Sequence, residues 1–227
     1  MSYYKTSRRG VNLGRANPGC KYLGLDDNFF KNIDTEEKAY VLGFIASDGS
    51  ISNQARIISI ALSEVDKDIL EKIKHVIYDG LLIKPQKVYG KNNKKQCRIC
   101  ICSKTIGEDV CKILGISSGK KSATVKFPKL PADFVWGFIR GYFDGDGNIR
   151  SIDRNPKKGL ECGISSNSEF IKSGIKNICD RSAIYCHVNK YGVYFSTRNA
   201  ISFLDKIYNV SVKPLLRSRS TKACCFC

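Results

Sequence analysis

A chain of 227 residues with 42% hydrophobic content is long enough for one or two domains with cores of their own. Its 38 Lys and Arg against 21 Asp and Glu leave a net charge of +17, which implies an anionic partner and puts nucleic acid first. No run of 18 apolar residues occurs and the N-terminus has no apolar stretch, so neither a membrane span nor a secretory signal is expected, and the 11 Cys are read as reduced thiols in a cytosolic setting.

Residues 1–27 mix Lys, Arg, Gly and Asn and read as a basic arm. The first half spans 28–115. Asp34-Thr35-Glu36-Glu37 resembles a capping box opening a helix through Ser47. Asp48-Gly49 should end it, with Gly in a left-handed conformation. Ile51 and Arg56–Leu62 flank a short turn as a hairpin, with Ile58, Ile60 and Leu62 on one side. Asp66–Ile77 is an amphipathic helix with Ile69, Ile73 and Ile77 in phase. Leu81–Tyr89 and Gln96–Cys102 form a second hairpin around the basic turn 90–95. Lys104–Leu114 closes the half, with Ile106, Val110 and Leu114 inward.

Residues 116–130 read as a linker, and the second half, 131–215, repeats the order. Pro131 is placed at the first turn of its opening helix. A hairpin over Asn148–Ser165 turns at Asn155–Gly159. Ser168–Asp180 is a helix with Ile171, Ile175 and Ile178 inward. Ala183–Thr197 is a hairpin, Asn199–Tyr208 the closing helix, and 216–227 a basic, Cys-rich tail. The fold class is α+β: two pseudo-symmetric αββαββα halves, forming a saddle of two antiparallel sheets with a central helix pair.

The repeat is sharpest around two acids. Superposing Asp48 on Asp146 aligns Gly43 with Gly141, Gly49 with Gly147 and Ile51 with Ile149. Ala39, Gly43 and Ser47 in one copy, and Gly137, Gly141 and Gly145 in the other, make a small-residue stripe on one helix face. Two such helices can pack closely, each with one carboxylate at its C-terminal end. Like charges there are unfavourable unless a divalent cation sits between them.

The strands suggest what the uncovered sheet faces carry. Gln96 and Arg98 alternate with Cys97, Ile99 and Ile101, and Tyr185, His187 and Asn189 alternate with Ile184, Cys186 and Val188. The outward sets can hydrogen-bond base edges, while Lys91, Lys94, Lys95, Lys157 and Lys158 in turns are placed to meet phosphates. Arg56 and Arg150 belong to the same basic surface. Neither His75 nor His187 reads as catalytic. A zinc site at Cys97 and Cys100 is disfavoured because strand alternation sends them to opposite faces.

Segments 41–49, Val-Leu-Gly-Phe-Ile-Ala-Ser-Asp-Gly, and 139–147, Ile-Arg-Gly-Tyr-Phe-Asp-Gly-Asp-Gly, resemble the paired motifs of the LAGLIDADG homing endonucleases. The sixth letter departs in the first copy, Ala46 against Asp144. The resemblance implies a site-specific endonuclease that hydrolyses both strands of duplex DNA with Mg²⁺ or Mn²⁺. Asp48 and Asp146 would be the metal ligands, aided by the carbonyls of Ser47 and Gly145. It also implies a Lys near each acid: Lys213 in the second half, and Lys126, with Lys121 as the alternative, in the first. With both motifs in one chain a monomer is expected, acting wherever the target DNA lies. The alternative on the same fold is an RNA maturase binding intron RNA, or a DNA-binding regulator without cleavage. An intein is disfavoured by the absence of splicing residues at the chain ends.

Overall fold

The computed structural model describes residues 24–52, 54–86, 95–116, 122–154 and 157–208, with backbone alone over 152–154 and 157–159. The arm before residue 24, Lys91, Lys94, Lys121, Lys213 and the Cys-rich tail lie outside the described residues.

The first half runs α1 (Glu36–Ser47), β1 (Gly49–Ile51), β2 (Ile57–Ser63), a 3₁₀ turn (Glu64–Asp66), α2 (Lys67–Ile77), β3 (Ile83–Gln86), β4 (Gln96–Cys102) and α3 (Lys104–Leu114). The second runs α4 (Val135–Asp146), β5 (Gly147–Arg154), β6 (Lys157–Ser165), α5 (Glu169–Arg181), β7 (His187–Asn189), β8 (Gly192–Ser196) and α6 (Thr197–Tyr208). Both sheets are antiparallel and share one topology, β1-β2-β4-β3 and β5-β6-β8-β7. The expected α+β repeat is therefore what folds.

Periodicity places the core correctly in most elements. Ile58, Ile60 and Leu62 of β2 are buried with Ile69, Ile73 and Ile77 of α2 and with Ile106, Val110 and Leu114 of α3. In α5 the buried apolar row is Ile171, Ile175 and Cys179, while Ile178 is only partly buried. A step of four residues stays on one face, and Ile178 falls off it.

Local chemistry differs from expectation at the helix ends. Thr35, not Asp34, is the N-cap of α1, its hydroxyl accepting the Lys38 N–H at 3.2 Å. The Pro131 carbonyl accepts from the Phe134 N–H at 3.0 Å in a turn ahead of α4, so Pro131 precedes the helix rather than opening it. Gly49 and Gly147 are not left-handed, since the positive-φ glycines among the described residues are Gly24 and Gly115. Each motif helix runs directly into a strand, and the glycine is needed for proximity. A Cβ would stand 2.6 Å from the Ile45 carbonyl oxygen at Gly49 and 2.3 Å from that of Phe143 at Gly147.

Two connections also differ. Lys157 and Lys158 lie in β6, paired with Arg154 and Asp153, rather than in the expected turn. Residues 122–130 are docked rather than loose. Val125 is buried, its carbonyl accepting from the Ser168 hydroxyl at 2.5 Å, and the Lys126 N–H donates to the Leu114 carbonyl at 2.7 Å. Among the described residues no helix is long and apolar enough to cross a membrane.

Candidate metal and nucleic-acid site

The small stripes of α1 and α4 meet face to face. A Cβ on Gly43 would lie 2.0 Å from the Phe138 carbonyl oxygen, and one on Gly141 would lie 1.9 Å from that of Tyr40. Both obstacles are backbone, so the seam accepts nothing larger than glycine without opening. At its lower end Gly145 faces Ser47, whose hydroxyl donates to the Phe44 carbonyl at 3.0 Å.

Asp48 and Asp146 stand at that end. Asp48 caps α1, its N–H donating to the Phe44 carbonyl at 3.0 Å, and Asp146 is the last residue of α4. The Asp48 carboxyl carbon lies 3.6 Å from where a Cβ of Gly145 would be, so it reaches across the seam to the residue preceding Asp146. Both acids are half-buried. The Tyr142 phenol, one turn above, reports both charges. Burial is the main cause that pushes it up to about 12, the Ser166 hydroxyl at 3.0 Å opposes, and Asp146 and then Asp48 push it further up. Two carboxylates flanked by the backbone of Ser47 and Gly145 are a hard-oxygen donor set, which suits Mg²⁺ or Mn²⁺.

Asp144, the extra acid of the second motif, does not join them. It is buried, accepting from the Tyr40 hydroxyl at 2.9 Å and from the Tyr208 hydroxyl at 2.7 Å. Burial, foremost, and the Asp144 charge push both phenols well above their ordinary range. Arg140 is also buried, with Nη2 3.3 Å from Glu36 Oε1 and its guanidinium 5.0 Å from the Tyr40 ring centre. That ion pair is close but misaligned, because Arg140 Nε, Nη1 and Nη2 and Glu36 Oε1 make no hydrogen bond among the described residues. The attraction is Coulombic, completed by the ring face. Sequence reading missed this network; an Arg and an Asp four residues apart inside an otherwise apolar helix was the available signal.

The candidate lysines are less concentrated. Lys126 packs beside Gly115, with its ammonium 5.7 Å from the Phe170 ring centre, in a groove also bordered by Lys112 and Lys129. These contacts tie it to the helical side of the molecule.

On the second sheet, Asn148, Arg150, Glu161, Tyr185, His187 and Asn189 line one concavity of about 410 Å³ on the face away from the helices. Tyr194, which lines the same concavity, was missed. The Tyr194 ring lies over Gly163, where a Cβ would come within 2.6 Å of it. Lys172 was missed as well: buried in α5, its ammonium donates to Glu169 at 2.5 Å and to the Asn189 and Lys190 carbonyls at 3.2 Å, which pins the β7–β8 turn. On the first sheet, Gln96 and Arg98 point to the open face, and Lys84, unremarked in the sequence, lies directly opposite Arg98. Like charges opposite one another are unfavourable without an anion. Arg56 is exposed at the first hairpin turn, and Lys95 is exposed 4.0 Å from Glu64.

His75 is exposed and contacts Asp79 at 2.5 Å. Cys97 faces inward beside the Leu62 and Ser63 carbonyls, and no group of three or more His, Cys, Asp or Glu able to hold a metal occurs among the described residues.

Residues 35–115 match the family model described as LAGLIDADG-like domain. The chain is 32% identical over 180 residues to the DNA-directed RNA polymerase subunit Rpo1C of Methanocaldococcus jannaschii, a match covering 77% of this chain and 19% of that protein, so the chain spans about a fifth of this curated relative. Among solved structures it is similar to the homing endonuclease I-WcaI bound to its DNA recognition sequence, with TM-score 0.52, 15% identity, and coverage of 88% of this chain and 89% of that one. The LAGLIDADG homing endonuclease I-GzeII in complex with its DNA target matches with TM-score 0.44, 14% identity, and coverage of 75% and 82%. The family model and the topology agree: residues 35–115 match a LAGLIDADG-like domain, and the chain has the fold of the homing endonuclease I-WcaI, with one helix of the seam in each half.

Proposed function

We propose that this chain is a divalent-metal-dependent endonuclease that cuts both strands of a specific duplex DNA site, acting as a monomer. The observation that supports it most is the seam, where glycine-limited packing of α1 on α4 brings Asp48 against the residue preceding Asp146. A helix C-terminus beside a second carboxylate is an unfavourable place for an acid, and a bound cation relieves it. The I-WcaI structure is of a protein on its DNA, which fits the net charge of +17 here.

When bound, Mg²⁺ or Mn²⁺ would supply an activated water and neutralise charge on the phosphate. Asp48 and Asp146 hold the cation, with the Ser47 and Gly145 carbonyls as further donors. Each acid serves the strand nearer its own half. The open sheet faces carry Arg98 and Lys84 on one side and Arg150, Tyr185, His187 and Asn189 on the other, which would follow the major groove. Lys126 and Lys213 remain the proposed charge-stabilising lysines, one per half.

The test is cleavage of a randomised duplex library with Mg²⁺, with EDTA, and by Asp48→Asn and Asp146→Asn. The proposal expects cutting only by the unaltered chain with metal. No cutting in any arm, together with tight binding of intron RNA, would replace it with the maturase reading.

A further inference from the structure

Arg150 and Glu161 are cross-strand partners on the open face of the second sheet. The Arg150 Nε–H donates to Glu161 Oε2 at 2.6 Å, and Nη2 contacts the same oxygen. Glu161 Oε1 has no partner among the described residues. Two of the five guanidinium N–H groups face Glu161, so the fork between Nη1 and Nη2 remains outward. The Arg150 side chain is 70% exposed and that of Glu161 27%. An ion pair this open adds little to folding.

A carboxylate is an unfavourable group on a surface that meets DNA, because phosphates repel it. This one lines the same concavity as Asn148 and His187. The groups on a duplex that favour a carboxylate are the base amino donors in the major groove. There a G·C pair presents two acceptors, guanine N7 and O6, and then one donor, cytosine N4. The Arg150–Glu161 pair presents the complement: two donors from the fork, then an acceptor. An A·T pair presents acceptor, donor, acceptor, which would set the adenine amino group against the guanidinium.

We propose that Arg150 and Glu161 act together as a base-reading unit that selects one G·C pair in the target, Arg150 on guanine and Glu161 on cytosine. This rests on the reading of the open sheet faces as the duplex-contacting surface.

The test uses the full-length chain with Ca²⁺, on a duplex recovered from library selection for binding and its single-base-pair variants. Binding is measured for the unaltered protein, Glu161→Gln and Arg150→Ala. The unaltered protein should lose about tenfold or more in affinity when one particular G·C pair is replaced. Glu161→Gln and Arg150→Ala should each flatten the preference at that pair and leave it intact elsewhere. Uniform weakening across all positions, or no change at any, would overturn the proposal and leave duplex binding standing. Absence of duplex binding by the unaltered protein would overturn both the proposal and the reading beneath it. Matching thermal melts of the three proteins would exclude misfolding, since both side chains lie on the surface.

Discussion

The Tyr40 hydroxyl donates to Asp144 Oδ2 at 2.9 Å, across the seam from one half of the molecule to the other. Tyr208 of α6 reaches the second oxygen of the same carboxylate at 2.7 Å. One buried acid thus joins both motif helices to the closing helix. The matching position in the first half is Ala46, also buried, so the tie exists on one side only. Asp144→Ala should cost about 2–4 kcal/mol, because it leaves two phenols without their acceptor in the interior. Urea denaturation measures this. Mn²⁺ affinity should be unchanged by Asp144→Asn, since both oxygens of this acid are engaged by Tyr40 and Tyr208.

The seam itself should respond to a single methyl group. Gly141→Ala places a Cβ against the Tyr40 carbonyl, with the Phe44 nitrogen also within 2.9 Å. Backbone cannot rotate away as a side chain can, so the helices must separate. A loss of about 1–3 kcal/mol in stability is expected. Metal affinity should fall as well, because the acids move apart. Denaturation and calorimetric Mn²⁺ titration of the same variant read the two effects.

Glu36 gives a pH dependence with a definite sign. Burial raises its carboxyl above 4.5, and the Arg140 charge opposes that rise. A group with a raised folded pKa contributes stability that is present below its unfolded pKa and is lost as pH rises through the folded value. Stability of the unaltered protein should therefore fall, through this group, on going upward from about pH 4.5. Glu36→Gln should flatten that segment of the profile. Urea midpoints between pH 4 and pH 7 decide it.

Lys172→Met removes the ammonium that holds the Asn189 and Lys190 carbonyls while keeping much of the buried volume. The turn carbonyls can turn to water, so the expected loss is about 1 kcal/mol. The sharper effect is local. Amide exchange over residues 189–192 should accelerate, while α1 and α4 stay protected.

Much of this molecule was legible in the sequence, and the reasons are physical. The doubled small stripe fixed the helix pair, because close packing leaves no room for other residues at Gly43 and Gly141. Period-four rows and alternating strands gave the αββαββα order. What escaped was set by tertiary contact. Gly49 and Gly147 look like helix-stopping glycines, but their absent side chains make room for the preceding turn. Lys172 reads as a surface lysine on an amphipathic helix, and only the fold shows the two carbonyls above it. Arg140 and Glu36 lie about a hundred residues apart in sequence and pair only once the halves dock. The candidate lysines near the acids could not be placed from pattern alone, and Lys126 lies beside Phe170.

The most direct measurement is Mn²⁺-induced broadening of backbone amide signals in the full chain, with Asp48→Asn and Asp146→Asn in parallel. The account predicts that signals of residues 47–49 and 145–147 broaden together at low Mn²⁺, and that either substitution weakens the effect in both segments. Broadening confined to one segment, or unchanged by both substitutions, would contradict a metal shared across the seam.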